Sequence, residues 1–300
     1  MAIKTVKATI NGQTYDLALN SSTGKWEATI TAPGKTSYNQ AGGYYNVSVV
    51  ATNEAGTSGS ADATTIDGLK LVVKETVAPV ITIVSPTNGA YVTNSKQPVV
   101  FTVVDEAGGS GVNISSLVVK LDGKAVDAAT LTSAAITNGY SVTYTPAAAL
   151  ADGAHTVTID CKDNDGNAAT QKSTSYTIDT VPPTLNVTSP AEGLVTATSS
   201  VTVAGTTNDA TSSPVTITIS LNGEDQGAVT VGANGSFSKT VTLAEGSNTI
   251  IVKAKDAAGK ESTVTRNVTL DTSVPKIKSA TITPNPVDTG ATMVISVTIE

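Results

Sequence analysis

Apolar and polar positions alternate with a period of two along most of the chain. Thr156-Val157-Thr158-Ile159 and Val215-Thr216-Ile217-Thr218-Ile219 put branched apolar side chains on one face and threonine on the other. This is the pattern of strands with one buried and one wet face. Asx-Gly pairs interrupt it: Asn11-Gly12, Asp122-Gly123, Asn138-Gly139, Asp152-Gly153, Asn222-Gly223 and Asn234-Gly235. Both residues of such a pair tolerate positive φ, so each predicts a tight hairpin turn. No segment has helical periodicity; residues 146–151 predict one short turn at most. The predicted class is all-β.

The strands are organised in repeats. Glu75-Thr76-Val77-Ala78-Pro79, Asp179-Thr180-Val181-Pro182-Pro183 and Asp271-Thr272-Ser273-Val274-Pro275 each close one strand-rich segment and open the next. They lie about 100 residues apart, the size of one β-sandwich. Each complete repeat continues with a Ser-Pro-x-x-Gly turn (Ser85 to Gly89, Ser189 to Gly193) and a Leu-Asx-Gly hairpin (Leu121 to Gly123, Leu221 to Gly223). It ends in a last hairpin around Asp163 to Gly166 or Asp256 to Gly259. About seven strands per repeat predict an Ig-like sandwich. Residues 1–76 carry only the later part of the pattern and predict a short N-terminal β-sandwich lacking its first two strands. Residues 77–179 and 180–271 predict two Ig-like domains. Residues 272–300 carry only the opening strand pair, a two-strand appendage or partial domain. Proline-bearing junctions limit bending, so the expected arrangement is an elongated rod.

Composition sharpens this picture by exclusion. Charged residues are 14% and the net charge is −7. A protein that tracks phosphates needs a basic face, so nucleic acid is not an expected partner. No stretch approaches the ~20 apolar residues of a membrane helix, so no membrane insertion is expected. The one cysteine precludes an intrachain disulfide. The start, Met1-Ala2-Ile3-Lys4, has no apolar signal core, so no Sec signal is expected.

Candidate chemistry is sparse. His155, the one histidine, aligns with Tyr45 and Asn248 and predicts a strand-start residue rather than a ligand. Cys161 aligns with Ala51 and Ala254, a small core position. Trp26 aligns with Tyr140 and Phe237, so core is again expected. Asp163, Asp165 and Asn167 alternate like a calcium loop, yet Thr174 stands where an EF-hand needs glutamate; a hairpin turn is the expectation. No catalytic set, metal set or cofactor is assigned; calcium at the junctions, through Asp179 or Asp271, is the alternative. No residue set supplies a nucleophile with a positioned base, so no enzymatic activity is expected. Tyr38, Tyr44 and Tyr45, in and beside an insertion at 34–43 read as an exposed loop, are the candidate ligand or partner loop. Ile277, Ile282, Val294, Ile295, Val297 and Ile299 are the candidate assembly strands. They are the very pair that residues 1–76 lack, and could complete that segment in another copy by strand addition. A self-contained N-terminal segment closed by residues 69–74, the start of a further domain, and docking onto a different protein are the alternatives.

The Asp-Thr-Val-Pro-Pro junction, the Ser-Pro-x-x-Gly turn and the final Asp-x-x-Gly hairpin resemble those of bacterial Ig-like (Big-type) tandem arrays, over 77–271 and in part at both ends. Such arrays occur in surface adhesins, in accessory modules of glycosidases, and on phage tails and capsids. The resemblance implies a non-enzymatic structural or adhesive protein. With no Sec signal expected, the leading expectation is a phage or phage-tail-like particle: a spacer, decoration or fibre on a virion. Its expected partners are other virion or surface proteins, further copies of itself, or a host-surface glycan. A bacterial cell-surface adhesin fragment and a carbohydrate-binding accessory module are the alternatives.

Overall fold

The structure is a computed structural model that describes residues 2–300. It divides into two compact units, one ending at Ile178 and the other spanning Asp179–Glu300.

The first unit opens with β1 (Ile3–Ile10), β2 (Gln13–Asn20), β3 (Lys25–Glu27), β4 (Tyr45–Asn53), β5 (Ser58–Ala61) and β6 (Lys70–Leu71). Asn11 and Gly12 take φ of 47° and 78°, as the Asn-Gly pair requires, and set the β1/β2 register at Ile10↔Gln13. All six strands lie in one sheet, ordered β3-β2-β1-β4-β5 with β6 added to β4. The expected two-layer N-terminal sandwich is therefore corrected to a single layer. The strand pair that opens the other repeats has no counterpart here, so nothing builds the facing sheet. Strand β6, expected to close the segment, extends the same sheet at Tyr45↔Leu71. Trp26 is corrected for the same reason: it sits on edge strand β3 opposite Leu19 and is only half-buried.

The rest of this unit is a two-sheet sandwich. Its strands are β7 (Val80–Ser85), β8 (Ala90–Val92), β9 (Val99–Val104), β10 (Val112–Leu121), β11 (Lys124–Ala125), β12 (Leu131–Ile136), β13 (Gly139–Tyr144), β14 (Gly153–Asp163) and β15 (Lys172–Ile178). One sheet runs β11-β10-β14-β15-β8 and the other β12-β13-β9-β7. Alternate residues of facing strands meet between them: Val99, Phe101 and Val103 from β9, and Val157, Ile159 and Cys161 from β14. Cys161 is the small core residue its alignment with Ala254 predicted, and burial pushes its thiol pKa up.

The second unit repeats the plan with β16 (Thr184–Ser189), β17 (Leu194–Thr196), β18 (Ser200–Asn208), β19 (Thr216–Leu221), β20 (Glu224–Asp225), β21 (Ser236–Thr242), β22 (Gly246–Lys255) and β23 (Glu261–Leu270). Its sheets are β16-β18-β21 and β17-β23-β22-β19-β20. Val203, Ile219, Ile250 and Val252 form the centre of its core. In both sandwiches a short strand pairs parallel with the last one, β8 with β15 and β17 with β23. Tandem Ig-like β-sandwiches are thus present at 77–271. After them β24 (Ile277–Thr283) and β25 (Val294–Ile299) form a separate antiparallel pair.

Candidate functional site

The tyrosine candidates separate on burial. Tyr38 is 50% exposed. Tyr44 is half-buried, with the Lys70 ammonium 5.4 Å from its ring centroid. Tyr45 is 5% exposed and its hydroxyl donates to Lys35 O at 3.2 Å. Tyr45 therefore leaves the candidate ligand set, because alternation on β4 turns it inward. The insertion before it is exposed over most of its length but anchored at Thr36, Ser37 and Asn39. Ser37 N and Oγ both donate to Val73 O (2.8 and 3.1 Å), and Ser37 Oγ accepts from Val73 N at 3.0 Å. Thr36 Oγ1 donates to Asp165 Oδ2 at 2.5 Å, and Asn39 Nδ2 to Gly109 O at 2.6 Å. Asp165 also accepts from Glu75 N at 3.0 Å. These bonds tie the N-terminal sheet to the sandwich that follows it.

His155 stands at the start of β14, with Nδ1 2.8 Å from Asp122 Oδ2 and Nε2 2.9 Å from Ala151 O. Both neighbours accept, so a doubly protonated ring satisfies both. Burial pulls the His155 pKa down, but Ala151 O and the Asp122 carboxylate outweigh it and leave the value raised. The other sandwich uses Asn248 and Asn222 in the same places, 3.0 Å apart, with Asn248 Nδ2 donating to Ala244 O at 2.7 Å. The arrangement is a hairpin latch.

The last hairpin is capped alike in every repeat. Asn53, Asp163 and Asp256 each accept, through Oδ1, from the backbone N four residues on, at 2.8–2.9 Å. Asp163 Oδ2 also accepts from Asn167 Nδ2 at 2.7 Å, so the Asp163 to Asn167 loop is a turn.

Topology gathers two acidic clusters that chain separation conceals. Glu75, Asp105 and Glu106 each place a carboxylate oxygen within 4.8 Å of the other two. They come from the segment before β7 and the residues after β9. The hydrogen bond with the Glu75 carboxylate, with burial second, pushes Glu106 up to about 7. Burial pushes Glu75 up, but hydrogen bonds from Glu106 and Ser110 more than offset this and leave it low. In the second unit Asp179, Asp209 and Asp256 form an equally tight group. They come from the segment before β16, the residue after β18 and the β22/β23 turn. Asp271, the other junction acid, is exposed and engages Ser273 N at 3.0 Å instead.

The β24/β25 pair is exposed along its whole length, including all six apolar candidates: Ile277, Ile282, Val294, Ile295, Val297 and Ile299.

Residues 84–180 match the bacterial Ig-like domain family and residues 183–272 match domain B of glucodextranase. No curated protein matches the chain. Among solved structures, the fibronectin(III)-like modules of Clostridium thermocellum CbhA are 17% identical with a TM-score of 0.41, covering 64% of this chain and 94% of that one. Immunoglobulin domains 1–4 of Sidekick-1 are 12% identical with a TM-score of 0.39, covering 90% and 68%. SGBP-B of the Bacteroides ovatus mixed-linkage glucan utilization locus, in complex with a mixed-linkage heptasaccharide, is 16% identical with a TM-score of 0.24, covering 93% and 62%. The two family matches fall on the two sandwiches and support the tandem Ig-like fold. Domains of this type are usually non-catalytic.

Proposed function

We propose that the chain is a non-enzymatic structural and adhesive element of a phage or phage-tail-like particle. Its sandwiches act as spacers, and its copies join through β24/β25. The observation that carries this reading is the pair itself: two strands of good β-formers whose apolar side chains are exposed along both strands. An unpaired, apolar strand edge is a template for another chain. The N-terminal sheet, which lacks this strand pair, is the complementary receiver. The contact is head-to-tail between copies, which gives rings or filaments. Weak host-surface contacts, repeated along such an assembly, add up to firm attachment. Light scattering over a concentration series tests it. A mass that rises for the wild type and stays monomeric for Ile282→Asp/Val297→Asp supports the reading; monomers in both remove self-assembly.

The glucodextranase domain B match at 183–272 favours a second reading, a carbohydrate-binding accessory module. Polysaccharide-array binding that falls on Tyr38→Ala supports it, and a null result across the array removes it. A cell-surface adhesin fragment shares the spacer role and differs in location, bacterial surface rather than virion.

A further inference from the structure

We propose that Asp179, Asp209 and Asp256 bind a divalent cation of the calcium class within the second unit. Each of the three is fixed by the backbone around it. Asp209 Oδ1 accepts from Thr211 N and Ser212 N, both at 2.8 Å. Asp256 Oδ1 accepts from Lys260 N at 2.8 Å. Asp179 Oδ1 accepts from Val181 N at 3.1 Å, and its Oδ2 from Ser212 Oγ. The carboxylates are thus aimed by the fold. Asp179 is fully buried and Asp256 is 5% exposed.

The second, independent observation is Asp256 Oδ2, a buried oxygen with no hydrogen-bond partner. A buried carboxylate oxygen that lacks a donor needs a proton or a cation. Among the described residues no ion pair reaches any of the three acids. In the first unit Glu106, which follows Asp105 directly, hydrogen-bonds to Glu75, and Glu75 Oε2 and Asp105 Oδ1 are likewise buried without a partner. In the second unit the residue after Asp209 is Ala210, so no carboxyl stands in that place.

Carboxylate oxygens within 4.8 Å of one another fit around one ion, since two oxygens on a calcium lie up to about 5 Å apart at a Ca–O distance of ~2.4 Å. All-oxygen ligands are the hard donors calcium prefers, and magnesium resists the dehydration that a buried protein site demands. The ion would staple the segment that opens the sandwich to the end of β18 and to the turn of the last hairpin.

The test uses the full chain, stripped with chelator and titrated with CaCl2 by calorimetry, with thermal unfolding read in parallel. The expected result is saturable calcium binding and a rise in the unfolding temperature of the second unit. Asp256→Asn keeps the acceptor for Lys260 N and so keeps the turn; it is expected to weaken binding at least about tenfold. Glu106→Gln is expected to leave binding unchanged. No binding heat with no thermal shift in the wild type would overturn the proposal. So would undiminished binding by Asp256→Asn, or binding lost on Glu106→Gln.

Discussion

His155 with Asp122 and Asn248 with Asn222 hold the same hairpin in two sandwiches, one with charge and one without. The charged version makes a pH prediction. The raised His155 pKa means its contribution is complete below the unfolded value of about 6.5. It is lost as pH climbs through the folded value. Asp122 is held low: burial opposes, but Thr156 N and His155 prevail, so its contribution is complete above the ordinary aspartate value and is lost as pH falls through the lowered one, leaving neutral pH to His155. The middle sandwich should therefore lose stability, by less than about 1 kcal/mol for so exposed a partner, as pH rises across neutrality. His155→Asn should flatten that dependence in melting temperatures recorded between acid and alkaline pH. An unchanged slope would contradict it. Two aromatics make a second prediction. Phe101, fully buried, should cost about 3–5 kcal/mol on replacement by alanine. Trp26 should cost only about 1 kcal/mol, because no second sheet covers it. Urea unfolding of the two variants measures both. The alignment that grouped Trp26 with Phe237 was legible from spacing. Its edge position was not, because spacing does not show which strand a segment will pair with.

At the level of elements, the turns were the most legible part of the fold. Asn11, Asp122, Asn138 and Asn222 all take positive φ in the Asx-Gly pairs that mark them. Gly235 adds a packing reason: at φ +77°, a Cβ there would lie 1.9 Å from Thr207 O. Gly235→Ala should therefore destabilise the second sandwich by more than the ~1 kcal/mol typical of a point change, as thermal unfolding would report. Most of the 34–43 insertion is exposed, but its anchors at Thr36, Ser37 and Asn39 were not legible because their partners, Val73, Asp165 and Gly109, are remote in the chain. Asp165 holds Thr36 and the Glu75 backbone together. Asp165→Ala should cost about 2 kcal/mol of that docking, seen as faster hydrogen exchange in β1 to β6 with little change in β9 and β14. The acidic clusters were illegible for the same reason: Asp179 could be flagged as a junction acid, but only the folded sheets bring Asp209 and Asp256 beside it.

For the whole molecule, the repeat unit was readable and its incomplete copies carry the functional argument. Two sandwiches bury their cores; the N-terminal sheet has one layer, and β24/β25 has exposed apolar faces. These two ends are complementary in kind, which is what a head-to-tail assembly requires. The most direct test is hydrogen exchange of the β24 and β25 backbone amides in the full chain, at low and at high protein concentration. The account predicts that the amides of these strands that do not pair within the hairpin become protected as concentration rises, together with amides of the N-terminal sheet. Exchange from both segments that is equally fast at every concentration would contradict it.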